Sequence, residues 1–319
     1  MGTLFSRTDD FPRVPIDPIK LDCSIISRPI NFEDPRYLTH DPLSRSLYIS
    51  NSLSGKSVLL PNNVDSEYVI NYPTRFLPRL PRDHRYPNID RHTLHTECLS
   101  SYNIILVSLS STLLLCSLDG QLISVIQYVH PRRFSEVSLL AVCADSLDVI
   151  YLLYTVNYQG NVRGEIIEIS CTFTSQERFA FGIDHIKVAR DICKRKNKLF
   201  VLHESDRCIL VFSIKDGILL SALVSGLASD LPNAVHIPMN LTVTSNNNII
   251  LSNWGDNTIS FIDSKGNVIA NINLSSGKIP YFKPSGLIFD EITRVLYCVV
   301  RGMHPQLLSI KLPDYMKKL

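Results

Sequence analysis

Two histidines and a cysteine form the most compact group of candidate metal ligands, an H-x-x-H-x-x-C arrangement at His92, His95 and Cys98. Imidazole nitrogen and thiolate sulfur are ligands that zinc prefers, and short spacing lets neighbouring side chains share one ion. The sequence offers no clear fourth ligand after Cys98, and the segment has the composition of a loop. We therefore interpret the histidines as surface residues and expect no bound metal and no cofactor.

The longest irregular stretch, residues 71–95, combines arginine with aromatic residues and prolines. Guanidinium groups contact phosphates and aromatic rings stack on bases, which suits single-stranded RNA. Arginine and tyrosine are also favoured in protein interfaces. A solvated loop pinned by its prolines is the third interpretation, and all three stay open. The candidate binding residues in this stretch are Arg75, Arg79, Arg82, Arg85 and Tyr86.

A second basic group lies in the segment KRKNK, which is predicted to connect two strands. Several basic turns on one rim of a folded domain would attract an anionic partner. A solvated turn would have the same composition, so this alternative also stays open. The candidate binding residues here are Lys194, Arg195, Lys196 and Lys198.

The sequence starts Met-Gly-Thr-Leu-Phe-Ser, which fits the N-myristoylation pattern with Gly2 as the acceptor. One myristoyl chain binds a membrane only marginally and needs a second signal. Arg7 is the nearest basic residue, and Asp9 and Asp10 oppose it. Gly2 is therefore a lipidation candidate, and a membrane is expected as a partner only if Gly2 is acylated.

The composition is that of a folded protein with a large core, since 45% of the 319 residues are hydrophobic and 19% are charged. The net charge of +2 gives no global attraction to nucleic acid or acidic membranes. Eight cysteines are scattered, mostly inside apolar runs, which indicates reduced core thiols. The first residues lack the apolar region of a signal peptide. The sequence therefore predicts a cytoplasmic protein.

A four-strand pattern recurs six times along the chain. Residues 237–272 show it best, with four β runs separated by the turns SNNN, NWGDN and SKGN. The second strand of each copy contains an apolar pair, and these pairs recur at intervals of about 48 residues. Four strands in a unit of that length predict a propeller blade, which buries its faces only by packing against neighbouring blades. The pairs are Leu47-Tyr48, Ile104-Ile105, Ile150-Tyr151, Leu199-Phe200, Ile249-Ile250 and Leu296-Tyr297.

The last copy, residues 284–312, supplies only three strands, and an extra β run at 20–27 precedes the first copy. We expect this run to be the outer strand of the last blade, which would close the ring. The predicted fold is all-β, a six-bladed β-propeller of four-stranded antiparallel blades. The predicted domains are an N-terminal extension at 1–19, one propeller at 20–312 with the insertion 71–95 between blades 1 and 2, and a tail at 313–319.

Three segments resemble NHL repeats. PSGLIFD at 284–290 is similar to the first strand of that repeat, and segments 199–212 and 249–263 are similar to its second and third. The resemblance to this family, best known from TRIM-type ubiquitin ligases, implies a ring that binds protein or RNA on one face. No RING, B-box or coiled-coil pattern is present in the sequence, so any ligase role would come from a partner.

Gluconolactonase- and paraoxonase-like hydrolases are similar six-bladed rings. Resemblance to them implies a divalent cation in the channel, held by Glu, Asn and Asp of the inner strands. Their P-N-G-L segment corresponds to residues 284–287, where this chain has Ser285, a poor ligand. The first copy also lacks their Glu-Gly-Pro start, and no G-x-S-x-G, HExxH or P-loop motif occurs.

The sequence therefore predicts a non-catalytic, monomeric scaffold that recruits a protein partner through one rim of the ring. Single-stranded RNA binding by the same basic rim is one alternative. A metal-dependent lactonase or esterase of the gluconolactonase type is the other.

Overall fold

The structure is a computed structural model. It describes residues 19–20, 23–30, 35–41, 43–51, 56–60, 68–71, 95–109, 112–127, 136–158, 161–170, 176–182, 184–203, 208–223, 237–274, 283–302 and 304–313. Apart from one 3-10 turn at Ser100–Tyr102, the regular structure in these ranges is β-strand. None of the described residues forms a helix long and apolar enough to cross a membrane.

Six sheets form the blades of a propeller, which confirms the predicted fold class. Two short strands precede the first blade, β1 (Ile19–Lys20) and β2 (Ser24–Pro29). Blade 1 contains β3 (Pro35–Asp41), β4 (Ser46–Asn51), β5 (Lys56–Leu60) and β6 (Tyr68–Asn71). Blade 2 contains β7 (Thr96–Leu99), β8 (Ile104–Leu109), β9 (Thr112–Ser117) and β10 (Leu122–Gln127). Blade 3 contains β11 (Glu136–Ser146), β12 (Val149–Tyr158), β13 (Asn161–Ser170) and β14 (Gln176–Phe181). Blade 4 contains β15 (Ala189–Arg195), β16 (Lys198–His203), β17 (Cys208–Ser213) and β18 (Leu219–Leu223). Blade 5 contains β19 (Pro238–Val243), β20 (Ile249–Asn253), β21 (Thr258–Ile262) and β22 (Val268–Asn273). Blade 6 contains β23 (Lys283–Asp290), β24 (Val295–Arg301) and β25 (Gln306–Lys311).

Tight turns with left-handed backbone connect strands in five of the six blades. The hairpin glycines Gly120, Gly217 and Gly266 have φ values of 90°, 68° and 93°, which glycine adopts without a Cβ clash. A residue with positive φ also follows the first strand in five blades, and in two of them it is an asparagine, which tolerates this conformation. These residues are Arg45, Asn103, Lys196, Asn247 and Arg294.

The segment before the first blade closes the ring. β2 pairs antiparallel with β25, from Ser24 opposite Lys311 to Pro29 opposite Gln306. This confirms the predicted closing strand, although its observed bounds lie a few residues later than 20–27. The two residues of β1 pair in parallel with β22 of blade 5, an addition that the repeat pattern does not predict.

The hydrophobic core consists of six clusters, and each lies between two adjacent blades. Alternating strand residues supply both faces of a blade, so every blade buries apolar side chains on two sides. The cluster between blades 6 and 1 contains Ile30, Leu38, Val299 and Leu307. Because this cluster joins the last blade to the first, no blade face is left open.

Gly286 marks the closest approach between the inner strands of blades 6 and 1. A Cβ at this position would lie 2.7 Å from Arg36 O and 2.8 Å from Leu38 N, both backbone atoms of β3. Backbone atoms cannot rotate away as a flexible side chain could, so the blades must separate to admit a methyl group. The glycine therefore sets the spacing at the ring closure.

We expect Gly286→Ala to destabilise the protein by about 2–3 kcal/mol, because the added methyl group forces blades 6 and 1 apart. Urea unfolding followed by circular dichroism measures the change. The control is Ser221→Ala on the exposed face of β18, which should change stability by less than about 0.5 kcal/mol. Equal stability of the two variants would contradict this account of the closure.

Deletion of residues 1–30 should lower the melting temperature by more than about 5 °C, because it removes β2 and the buried Ile30. Deletion of residues 1–18, which leaves β1 and β2 in place, is the control. Differential scanning calorimetry of both proteins decides the point, and a shared melting temperature would show that β2 is dispensable for ring stability.

Candidate functional site

The inner strands of the six blades enclose a central channel. Each inner strand contacts the next, from β3 through β7, β11, β15 and β19 to β23, and β23 returns to β3. A cavity of about 380 Å³ lies among them, and all six inner strands contribute to its wall. It extends from Asp191 in the channel to Arg195 and Ile292 at the turns that follow the inner strands. We call this cavity the funnel, and the end where those turns lie the funnel face.

Asp191 is the most heavily hydrogen-bonded side chain of the funnel. Its residue surface is 1% exposed, and a carboxylate at such a position needs several donors to offset lost hydration. Oδ1 accepts the Ile192 N–H at 2.9 Å and lies 3.2 Å from Nε2 of His95. Oδ2 accepts the Leu241 N–H at 2.9 Å and a side-chain N–H of Asn240. One carboxylate thus connects blades 2, 4 and 5.

His95 is held in the channel by contacts on both ring nitrogens. Nδ1 accepts the Val142 N–H at 3.4 Å, so in the neutral ring the proton is on Nε2, the nitrogen that lies 3.2 Å from Asp191 Oδ1. The backbone of His95 exchanges hydrogen bonds with Ser108, and its ring meets that of Tyr37 edge-on, 4.9 Å between centroids. The result is a buried imidazole, 9% exposed, with one orientation and one defined tautomer.

The same kind of bond, from a polar side chain of one inner strand to the backbone of the next, joins other blades. The inner strands of different blades belong to separate sheets, so their backbone groups on the channel side have no partner in a neighbouring strand. The side-chain bonds between blades supply such partners. They join Cys98 N to Thr39 Oγ1 (3.2 Å), Leu287 N to Asn240 Oδ1 (2.9 Å) and Ser285 Oγ to Pro35 O (3.2 Å).

A second histidine, His40, lines the funnel nearer its mouth. Burial lowers the pKa of His40, although the nearby Asp290 and Asp41 carboxylates act in the opposite direction. The His40 ring lies 6.3 Å from that of Tyr297. The Asp290 carboxylate accepts hydrogen bonds within its own turn, from the N–H groups of Ile292 and Thr293 and from the Thr293 hydroxyl. His40 is therefore a neutral imidazole in the upper funnel.

Cys193 also lines the funnel, but it is a poor nucleophile. Burial, assisted by the negative charge of Asp191, raises the pKa of the thiol to about 12. The thiolate is the reactive form of cysteine. Cys193 therefore stays protonated at neutral pH and acts as a small packing residue.

An ion pair connects three blades at the funnel mouth. Arg195 Nη2 of blade 4 lies 2.7 Å from Glu291 Oε1 of blade 6. The same oxygen accepts the backbone N–H of Ser245 in blade 5 at 2.6 Å. Both charged side chains are about one-third exposed, so the pair contributes little stability by itself. It places opposite charges side by side at the entrance.

The structure describes only one of the two groups of predicted binding residues. Arg75, Arg79, Arg82, Arg85 and Tyr86 lie outside the described residues, as does Gly2. The strand ends that flank that stretch, Asn71 and Thr96, are at the opposite end of the blades from the funnel face. Lys194, Arg195, Lys196 and Lys198 lie at the funnel face, where Lys194 lines the cavity and Arg195 pairs with Glu291. Binding by these residues stays a prediction.

The channel residues do not fit the divalent cation that the resemblance to gluconolactonase-like hydrolases implies. Both oxygens of Asp191 already accept hydrogen bonds, and Asn240 Oδ1 accepts the Leu287 N–H. Ser285 donates to the carbonyl groups of Pro35 and Val299. Among the described residues, no group of three or more His, Cys, Asp or Glu side chains could hold a metal ion. We therefore derive no chemistry through a metal.

Sequence reasoning missed two of the three central residues of the site and misplaced the third. The interpretation of His95 as a surface residue is wrong, since it is buried in the channel, while His92 lies outside the described residues. Asp191 and Asn240 were not singled out because no local motif marks either of them, and the strand of Asp191 contains three other charged residues. Their separation of 49 residues, one repeat length, is the signal that could have found them.

Comparison with known proteins rests on structure alone, since no sequence family and no curated protein matches the chain. A luciferin-regenerating enzyme is 11% identical, with a TM-score of 0.65 over 91% of this chain and 96% of the other. A gluconolactonase from Xanthomonas campestris is 14% identical, with a TM-score of 0.63, and the alignment covers 92% of this chain and 90% of the other. A catalytically inactive histidine-to-alanine variant of virginiamycin B lyase from Staphylococcus aureus, with quinupristin, is 12% identical, with a TM-score of 0.53 over 90% and 99%.

These similarities support the six-bladed fold and correct two predictions. The resemblance to NHL repeats is wrong, because the neighbours are gluconolactonase-like and virginiamycin B lyase propellers. The prediction of a non-catalytic scaffold is contradicted as well, since these neighbours are named as enzymes. The physical reason for the second error is that the expectation rested on absent sequence motifs. A propeller brings polar side chains of distant repeats together in its channel, where no local motif records them.

Replacement of Asp191 by alanine should destabilise the protein by about 3 kcal/mol or more, because it leaves the buried donors of His95, Asn240 and Leu241 without their acceptor. Urea unfolding measures the change. The exposed turn residue Asp148 is the matched control, and Asp148→Ala should cost less than about 0.5 kcal/mol. Similar stabilities for the two variants would contradict a structural role for the Asp191 carboxylate.

Proposed function

We propose that this chain is an enzyme that hydrolyses a small lactone or ester in the funnel, with His95 as the general base. One observation carries the proposal: a buried carboxylate, Asp191, lies 3.2 Å from Nε2 of an imidazole that lines a cavity of about 380 Å³. A carboxylate that fixes the tautomer of a histidine and stabilises its protonated form is a recurrent element of acyl-transfer sites.

The proposed reaction uses the ring nitrogen that faces away from Asp191. Nδ1 of His95 accepts only a long hydrogen bond, 3.4 Å from Val142 N, and a water molecule can take over this lone pair. The water adds its oxygen to the substrate carbonyl carbon while its proton moves to Nδ1. When the bond from carbon to the ring oxygen breaks, Nδ1 returns the proton to the leaving alkoxide. Asp191 stays ionised and holds the imidazolium through Nε2–H.

The funnel favours a small substrate. Its volume suits a single ring with short substituents, since pockets for drug-sized ligands span about 300–1,000 Å³. The similarity to a gluconolactonase supports a lactone as the substrate class. Lys194 on the funnel wall is a candidate for contact with the carboxylate of the product.

Elimination is the second candidate reaction. A neutral imidazole can remove a proton from carbon as well as from water. The similarity to virginiamycin B lyase, whose inactive variant lacks a histidine, supports this alternative. The two reactions differ in their products, because hydrolysis adds one water to the substrate mass and elimination leaves the mass unchanged.

We expect the purified protein to open sugar lactones or aryl esters, measured by pH-stat titration and mass spectrometry. His95→Gln keeps a donor for Asp191 and should therefore fold, yet it should lose on the order of 100-fold in kcat because it cannot accept a proton. The exposed His185 provides the control, and His185→Ala should keep full activity. Unfolding curves of all three proteins verify the fold.

Three results would contradict this proposal. The first is full activity in His95→Gln, and the second is no turnover of any lactone or ester by the unmodified chain. The third is loss of activity on addition of EDTA, which would assign the chemistry to a metal ion and not to an imidazole base.

A further inference from the structure

Two turns at the funnel face, in the adjacent blades 6 and 1, are built in the same way. Their sequences are DEITR at 290–294 and DPLSR at 41–45, and each begins with the last residue of an inner strand. In both, the aspartate carboxylate accepts the backbone N–H of the third residue, at 2.9 Å from Ile292 and 3.0 Å from Leu43. It also accepts the hydroxyl of the fourth residue. These bonds hold the third residue of each turn in a fixed position.

The third residue of each turn is an aliphatic side chain that projects into solvent. Ile292 is 80% exposed and Leu43 is 74% exposed, the two highest values among the large hydrophobic residues that the structure describes. Turns usually carry polar residues at such positions, and side chains this exposed add little to the core. One exposed aliphatic residue is ordinary on a protein surface. The same residue type at the same position of two neighbouring turns indicates a common use.

A third apolar residue lies on the same face, in the turn between β17 and β18 of blade 4. Ile218 is 58% exposed. Ile214 of that turn donates its N–H to Asn197 O at 3.1 Å. Since Asn197 belongs to the turn that follows the inner strand β15, both turns are at the funnel face. We call Leu43, Ile218 and Ile292 the apolar tips.

Exposed cations surround the apolar tips. Among the described residues, the funnel-face turns of blades 4, 5, 6 and 1 carry six exposed Lys and Arg side chains and three carboxylates that are not buried. This side of the ring is therefore positive, although the net charge of the whole chain is only +2. The cations are Arg45, Lys196, Lys198, Lys215, Lys265 and Lys311, and the carboxylates are Asp216, Asp263 and Glu291.

We infer that the apolar tips and the cations around them form a docking surface for an anionic lipid bilayer. Lipid is fluid and closes around separate aliphatic side chains, whereas a protein interface is a closely packed patch with a continuous apolar centre. Lys and Arg beside the tips are attracted to acidic headgroups. The turns are already ordered, so they lose little conformational freedom on insertion.

This docking turns the entrance of the funnel toward the membrane, because Ile292 is both an apolar tip and part of the funnel wall. It does not depend on acylation of Gly2. It is also independent of the proposed hydrolysis, since vesicle binding is measured without a substrate, and either proposal can fail while the other holds.

Cosedimentation with vesicles tests the inference. We expect the protein to bind vesicles of phosphatidylcholine mixed with phosphatidylserine, and to bind pure phosphatidylcholine on the order of tenfold less, because the acidic headgroups attract the exposed cations. Raising the potassium chloride concentration should release the protein from the mixed vesicles, since salt screens exposed charges. No binding to the mixed vesicles would overturn the inference and favour a protein partner for the same surface.

Leu43→Ser and Ile292→Ser should each weaken vesicle binding on the order of tenfold, since each removes one aliphatic side chain from the bilayer interface. The matched control is Ile237→Ser, a 42% exposed isoleucine at the opposite end of the ring, which should leave binding unchanged. Melting temperatures verify that each variant is folded. Equal binding by the Leu43, Ile292 and Ile237 variants would overturn the inference.

Discussion

A buried carboxylate at the axis of the ring organises the central part of this molecule. Asp191 is almost fully removed from water, so its carboxylate needs hydrogen-bond donors to offset the lost hydration. Asn240 and Leu241 of blade 5 supply such donors, and Nε2 of His95 in blade 2 lies 3.2 Å from Oδ1. The side-chain oxygen of Asn240 in turn accepts the Leu287 N–H of blade 6. The requirement of one charged group thus fixes the relative positions of four blades.

This constraint also determines which chemistry the channel can perform. The side-chain oxygens of Asp191 and Asn240 accept hydrogen bonds from neighbouring inner strands, so these groups hold the blades together. The same contacts orient the His95 imidazole and leave one of its nitrogens with a long, replaceable hydrogen bond. The proposed general base therefore depends on the same contacts that hold the inner strands together.

The fold could be predicted because its determinants are local and repeated. Apolar pairs such as Leu296-Tyr297 and turn glycines such as Gly217 recur at nearly constant spacing, and each specifies its own strand or turn. The last copy supplies only three strands, so the run before the first blade could be assigned as the fourth strand of that blade. The pairing of Ile19–Lys20 with blade 5 could not be predicted, because two residues carry no periodicity.

The site was harder to predict, since its residues belong to different repeats and no single segment contains two of them. His95 was assigned to a surface loop because a polar residue beside an irregular stretch has no apolar pattern around it. Its burial depends on β11, β15 and β19, which come later in the sequence. A search for polar residues at matching positions of successive repeats would have found Asp191 and Asn240, but not the histidine that faces them.

The pairing of β2 with β25 has a consequence for how the chain reaches its native state. Ser24 and Lys311 are register partners although almost the whole sequence separates them. Contacts between such distant residues close a very long loop, and folding rates fall as the mean sequence separation of contacts grows. On the ribosome, the early strand must wait, unpaired, until the final blade has been made. During that interval its exposed edge is open to pairing with other chains, so synthesis is the period in which this protein is most prone to aggregate.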